Sequence, residues 1–254
     1  MVNTALSLGG LAGVLLSGGF VYWQIGRYAA PQVPETLFDE RRVFIAYAAG
    51  LFVGAPLVFP FLFYLAALRN DAPDIALVDL LILLAGTELA AWMVRRLRYF
   101  GQDAAGPFYA LALRAGASGI LTIALVTAAF AAGSPALATL PVTAVQAVAI
   151  VAVSTAAGYL AVRLPDRRGL LGGSPFGAAL FALFGYVLIG GAELLDPLTG
   201  LFAAALAVTG STWVVFRLRE PVLGRIPPPS GPVPAPSGRS SFGRKDRSAD
   251  STLR

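Results

Sequence analysis

Seven apolar runs dominate the 254-residue chain, near 4–26, 43–68, 75–94, 107–131, 140–162, 175–195 and 197–217. Each approaches or exceeds the roughly 20 residues that a helix needs to cross the hydrocarbon layer of a bilayer. The chain is 57% apolar and 13% charged, whereas soluble domains are about 45–50% apolar and about 25% charged. A chain of this size cannot hide seven such runs from water, so lipid is the solvent that fits. The expectation is an all-α, polytopic membrane protein, a seven-transmembrane-helix bundle. The narrowest division is between the last two runs. Only Glu193 and the Asp196-Pro197 pair separate them, so that turn must be tight.

The cations give the runs a direction. Threading seven spans alternately through a membrane puts Arg27, Arg41, Arg42, Arg95, Arg96, Arg98, Arg163, Arg167, Arg168 and every cation from Arg217 onward on one side. That side holds seventeen, and the other holds Arg69 alone. Cytoplasmic loops carry the excess of Lys and Arg, so the N-terminus is expected outside and the C-terminus in the cytoplasm. A wrong number of spans would have mixed the two sets. Trp23, Trp92 and Trp213 fall at the cytoplasmic ends of their runs, where aromatic side chains sit at the interface. The first charge, Arg27, follows the first apolar run. A secretory signal carries its charge before that run, so the reading is an uncleaved first helix in a multi-pass protein of the cell membrane.

The bundle is assigned to residues 1–220 and a tail to 221–254. The stretch GRIPPPSGPVPAPSGRSSFGRKDRSADSTLR (224–254) is basic, rich in Pro, Ser and Gly, and without apolar period. Such composition reads as disorder. Its cations are expected to touch anionic lipid, at about 1 kcal/mol each near the surface. The expected partners are the lipid bilayer and another membrane protein, with no nucleic acid.

Missing residue types narrow the chemistry. With no Cys there is no disulfide, thiol nucleophile or iron–sulfur ligand, and with no His the commonest metal ligand and general base is gone. The one lysine, Lys245, lies in the tail, so a retinal Schiff base, which needs an intramembrane lysine, is excluded. No cofactor and no metal are expected.

The acids of NDAPDIALVD (70–79) come near the Asn-Asp-x-x-Asp-x-x-x-Asp motif of membrane prenyltransferases. That resemblance implies carboxylates holding Mg²⁺ on a diphosphate. The last spacing here is one residue too long, the charge split puts this loop outside, and only ELLD (193–196) offers a second motif. As a turn the stretch is straightforward. Asn70 and Asp71 suit a turn, Pro73 suits a first helical position, and acids suit a first turn.

Two groups of polar residues remain inside the spans. Glu88 and Arg114 lie about 9–10 Å from the cytoplasmic side on consecutive helices at 1.5 Å per residue, and charged residues at such depth pair with one another. An intramembrane ion pair is expected, with Thr87 or Ser118 adding hydrogen bonds. Asp79, Gln146 and Glu193 all lie in the outer halves of their spans and form a candidate outer polar site. Small residues recur every fourth position, as in Ala5, Gly9, Gly13 and Ser17, in Ala46, Gly50 and Gly54, and in Ala203, Ala207 and Ser211. Such faces let helices approach closely. Pro56 and Pro60 are expected to bend the second helix.

No catalytic constellation emerges. The chain reads as a non-enzymatic integral membrane protein, a subunit or accessory factor of a membrane complex. Transport of a small solute or ion is the alternative, and a lipid-modifying membrane enzyme a more distant one.

Overall fold

The computed structural model describes residues 2–25, 39–97, 99, 106–131, 140–162, 175–192 and 194–223. The tail from 224, most of the cation-bearing loops and Glu193 lie outside the described residues. Among those described there are seven long helices and no strands: α1 (Val2–Ile25), α2 (Glu40–Arg69), α3 (Pro73–Arg96), α4 (Gly106–Ala131), α5 (Leu140–Val162), α6 (Pro175–Gly191) and α7 (Pro197–Leu223).

Six of them are long and apolar enough to cross a membrane. The sixth helix is shorter than its apolar run. It ends at Gly191 after 17 residues, about 26 Å at 1.5 Å per residue. The glycine pair Gly190-Gly191 and the acid-and-proline turn beyond it account for the early stop, since glycine ends helices readily and proline cannot continue one. Many large apolar side chains point outward, among them Phe52 at 81% exposure and Leu198 at 77%. An apolar surface of this extent is not sustained in water, and it marks the bundle as one built for lipid.

Helix α4 is the axis of the fold, packing against α1, α2, α3 and α5. Helix α5 continues the core and packs against α6 and α7. The spanning window of α4 is 78% buried and that of α5 67%, whereas α1, α2, α3 and α7 fall between 22% and 33%. Lipid does not drive apolar helices together, so packing and interhelical hydrogen bonds must hold them. Missing side chains allow that packing. A Cβ on Gly50 would strike the Leu113 carbonyl, one on Gly54 would lie 2.9 Å from the Ala117 Cα, and one on Gly116 would strike the Tyr47 carbonyl. On the other side of α4, a Cβ on Gly13 would strike the Gly119 carbonyl, and one on Gly9 would lie 2.9 Å from the Ile123 carbonyl. The small-residue faces of α1 and α2 are thus both spent on α4.

Helix α2 runs unbroken through Pro56 and Pro60. The carbonyl freed by Pro56 belongs to Phe52, on the exposed face. Helix α2 starts on Asp39, whose carboxylate accepts from the Arg41 N–H at 2.9 Å. It ends in a Schellman turn. The Ala72 N–H donates to the Ala67 carbonyl at 2.9 Å, the Asp71 N–H donates to Leu68 at 3.2 Å, and Asp71 takes the left-handed conformation with φ 53°. Pro73 follows as the first residue of α3, where its missing N–H leaves nothing unsatisfied. Asn70, Asp71 and Pro73 therefore have conformational duties in this turn.

Among the described residues two main layers of core divide the bundle along its length, with a smaller cluster of Val142, Ala192 and Ala204 beside them. One joins Val21, Ala91, Tyr159 and Leu218, near the C-terminal ends of α1, α3, α5 and α7, to Val43 and Phe108 near the starts of α2 and α4. The other joins Phe61 and Leu65 of α2 to Leu80, Leu125, Ile150 and Ile189. This arrangement is that of helices alternating in direction. In the first layer's end of the molecule Trp23 meets Phe216 edge-on at 6.3 Å, and the Arg217 guanidinium lies over Trp213 at 5.6 Å.

Candidate functional site

Helix α3 packs on α2, α4 and α6, and its Glu88 reaches α4. Arg114 sits in the third turn of α4, at 3% exposure. Its Nη2 donates to Glu88 Oε1 at 2.5 Å. A charge-assisted bond in low-dielectric surroundings is the arrangement that makes either charge tolerable at this depth. Room for the arginine comes from α5. A Cβ on Gly158 would lie 3.0 Å from Arg114 Cδ, and a larger side chain there would displace the guanidinium stem. The Ser154 hydroxyl, one turn earlier on α5, donates to the Arg114 carbonyl at 3.2 Å.

The pair is incompletely satisfied. Glu88 Oε2 is buried and has no hydrogen-bond partner. Thr87 and Ser118 do not supply one. The Thr87 hydroxyl donates to the Leu84 carbonyl at 2.9 Å and the Ser118 hydroxyl to the Ala115 carbonyl at 2.8 Å. Hydroxyls on helices prefer a carbonyl one turn back on their own chain, which is always within reach.

A crevice of about 280 Å³ opens beside the carboxylate, between α3 and α6. Leu81, Leu84, Ala85 and Glu88 line it from α3, and Ala179 and Leu183 from α6. Glu88 is the only residue of its lining with a polar side chain. Leu81 is half exposed, so the crevice communicates with the surroundings of the bundle.

Asp79, Gln146 and Glu193 are a different case. Gln146 is fully buried, and its Nε2 donates to the Ile189 carbonyl at 2.8 Å. That carbonyl belongs to the last turn of α6, where backbone acceptors have no partner within the helix. The side-chain amide caps the short helix. Gln146 Oε1 is left without a partner. Asp79 is half-buried on α3, and α3 packs on α2, α4 and α6. No hydrogen bond joins Asp79 to Gln146, and Glu193 lies outside the described residues. Among the described residues no three His, Cys, Asp or Glu side chains are grouped as a metal site.

Sequence reasoning does not find the second tie on α6. The Tyr64 hydroxyl of α2 donates to the Tyr186 carbonyl at 2.8 Å. A Cβ on Gly190 would strike that hydroxyl, so the glycine that helps end α6 also admits the tyrosine. The signal was a tyrosine within an apolar run, which alone does not say where its hydroxyl points. Comparison with known proteins adds no relative to this geometry: no family model matches the chain, and no curated protein or solved structure matches it.

Proposed function

We propose that the chain is a non-enzymatic multi-pass protein of the cell membrane that serves as a subunit or accessory factor of a membrane complex. The observation that carries this is how the buried polar groups are spent. Arg114 on Glu88, Gln146 on Ile189, Tyr64 on Tyr186 and Ser154 on Arg114 each tie one helix to another. Polar side chains used in this way hold a bundle together, and they are thereby withdrawn from chemistry on a substrate. The seventeen-to-one cation split supports an external N-terminus and a cytoplasmic tail. In this reading the basic tail meets anionic lipid or a partner's acidic face. The test is extraction in mild detergent through an affinity tag. The expected result is a second membrane protein in fixed ratio. Recovery of the chain alone, at full stability, overturns the reading.

Transport of a small solute or ion is the second reading. Glu88 supports it: an acid beside a crevice within the span, with one oxygen buried and without a hydrogen bond, is the kind of group that marks a pathway. Uptake by vesicles containing only this chain, abolished in Glu88→Gln, would favour it over the first.

A further inference from the structure

The crevice between α3 and α6 is walled by leucine and alanine and contains one carboxylate. Its depth follows from helix rise. Glu88 is eight residues from the end of α3 at Arg96, and Ala179 to Leu183 are four to eight residues from the start of α6 at Pro175. At 1.5 Å per residue both lie about 6–12 Å from the same ends of the bundle. That is the level of the upper acyl chains, below the headgroups.

Glu88 Oε2 is an acceptor with no donor. A buried acceptor without a donor is unfavourable. Water is a poor answer, since a buried water needs two to four polar partners and the crevice lining offers the side chain of Glu88 alone. Charge narrows the alternatives. The Glu88–Arg114 pair is neutral as it stands. An ammonium group added beside it would leave a net positive charge in hydrocarbon, and an anion would face the carboxylate directly. Either is disfavoured where charge is poorly solvated. A hydroxyl completes the carboxylate without changing the charge. Oε2 is buried behind the crevice wall. The last torsion of a glutamate is soft, so a turn of the carboxylate brings Oε2 to such a donor, with the long Arg114 side chain following Oε1.

Size points the same way. The crevice has a volume of about 280 Å³. It takes a chain segment and a small polar group. We propose that the α3–α6 crevice is a lateral binding site for a neutral membrane lipid with a hydroxyl close to its chain, of the long-chain alcohol or acylglycerol class. The chain lies on Leu81, Leu84 and Leu183, and the hydroxyl donates to Glu88. This goes beyond the accessory reading and holds whether or not a partner protein exists.

The test uses the full chain in phosphatidylcholine vesicles with a long-chain primary alcohol carrying a diazirine in its chain. Irradiation should label peptides from 73–96 and 175–191. The unlabelled alcohol should compete about tenfold better than its methyl ether, the difference expected of one hydrogen bond to a carboxylate. The chain-matched amine and carboxylic acid should compete no better than the ether. Ala179→Phe, which fills the crevice and leaves the ion pair in place, should remove the labelling. Equal competition by the alcohol and the ether would overturn the proposal by reducing the crevice to a slot for any acyl chain. So would stronger competition by the amine, or labelling spread evenly over α1, α2 and α7. If Ala179→Phe fails to fold, the competition series on the unaltered chain decides alone.

Discussion

Arg114 on α4 and Glu88 on α3 meet at 2.5 Å within a bundle whose other buried polar contacts are largely hydroxyls and amides on carbonyls. Removing one partner leaves a charge alone in low dielectric, a loss of about 3–5 kcal/mol for a buried pair. Glu88→Gln and Arg114→Gln should each lower the melting temperature in detergent sharply and reduce the folded yield. The double variant should recover most of both, because two amides can bond where a lone charge cannot. A double variant no better than the worse single one would show that the two residues are not coupled.

The level of these two residues is legible from the chain alone, because helix rise converts residue number into depth. Rotation about each helix axis is not. Nothing in the runs says that Glu88 lines the α6 crevice while also reaching α4, or that Gln146 turns toward the end of α6 instead of toward Asp79. Helix ends are legible where a residue enforces them, as Pro73 and Pro197 do at the starts of α3 and α7. The early end of α6 is harder to read, since Ala192, Leu194 and Leu195 around Glu193 carry its apolar run past Gly191. The small-residue faces are visible as a period of four. Their partner on α4 is not, because Leu113 presents its backbone there and any residue has one.

The α2–α4 contact should be the least tolerant of added volume. A Cβ on Gly50 meets the Leu113 backbone, whereas one on Gly10 meets nothing within 4 Å. Gly50→Val should cost about 1–3 kcal/mol or more through overpacking against atoms that cannot rotate away. Gly10→Ala should stay within about 0.5 kcal/mol, as surface changes do. Thermal melts of the two variants in one detergent check the contrast. A similar loss in both would mean that Gly10 also lies in a tight interface.

Gln146 should matter through α6 and independently of Asp79. Its Nε2 is the donor to the Ile189 carbonyl. Gln146→Leu leaves that carbonyl without this donor and should cost about 1 kcal/mol, typical of an interhelical hydrogen bond in a bilayer. Hydrogen exchange should rise in the last turn of α6. Asp79→Asn should leave that exchange unchanged. A matching rise in the Asp79 variant would join the two residues in one outer site.

Orientation can be read directly, because the chain has no cysteine of its own. Gln102→Cys and Ser134→Cys place single thiols in loops that alternate sides in a seven-span thread. An impermeant thiol reagent applied to intact cells should label position 134 and spare position 102 until the membrane is opened. The reverse pattern would invert the bundle and move the tail outside.

The tight turn into α7 should give way in acid. Asp196 precedes Pro197 and caps the helix. One carboxylate oxygen accepts the Thr199 hydroxyl at 2.6 Å, and the other accepts the N–H groups of Leu198 at 3.1 Å and Thr199 at 3.2 Å. The Thr199 side-chain and backbone bonds, with the Leu198 N–H, hold its pKa below the ordinary carboxylate value. A group whose pKa is lowered on folding stabilises the folded state above its unfolded pKa, about 3.9 for aspartate, and the benefit is lost as pH falls through the lower folded value. Protection of the first turn of α7 against hydrogen exchange, corrected for the intrinsic rate, should therefore be flat near neutrality and fall below about pH 4. Asp196→Asn keeps an acceptor at the cap and removes the titration. In that variant protection should be lower at neutral pH and should no longer fall in acid. A parent chain whose protection there does not change as the carboxylate titrates would show that the cap does not depend on its charge.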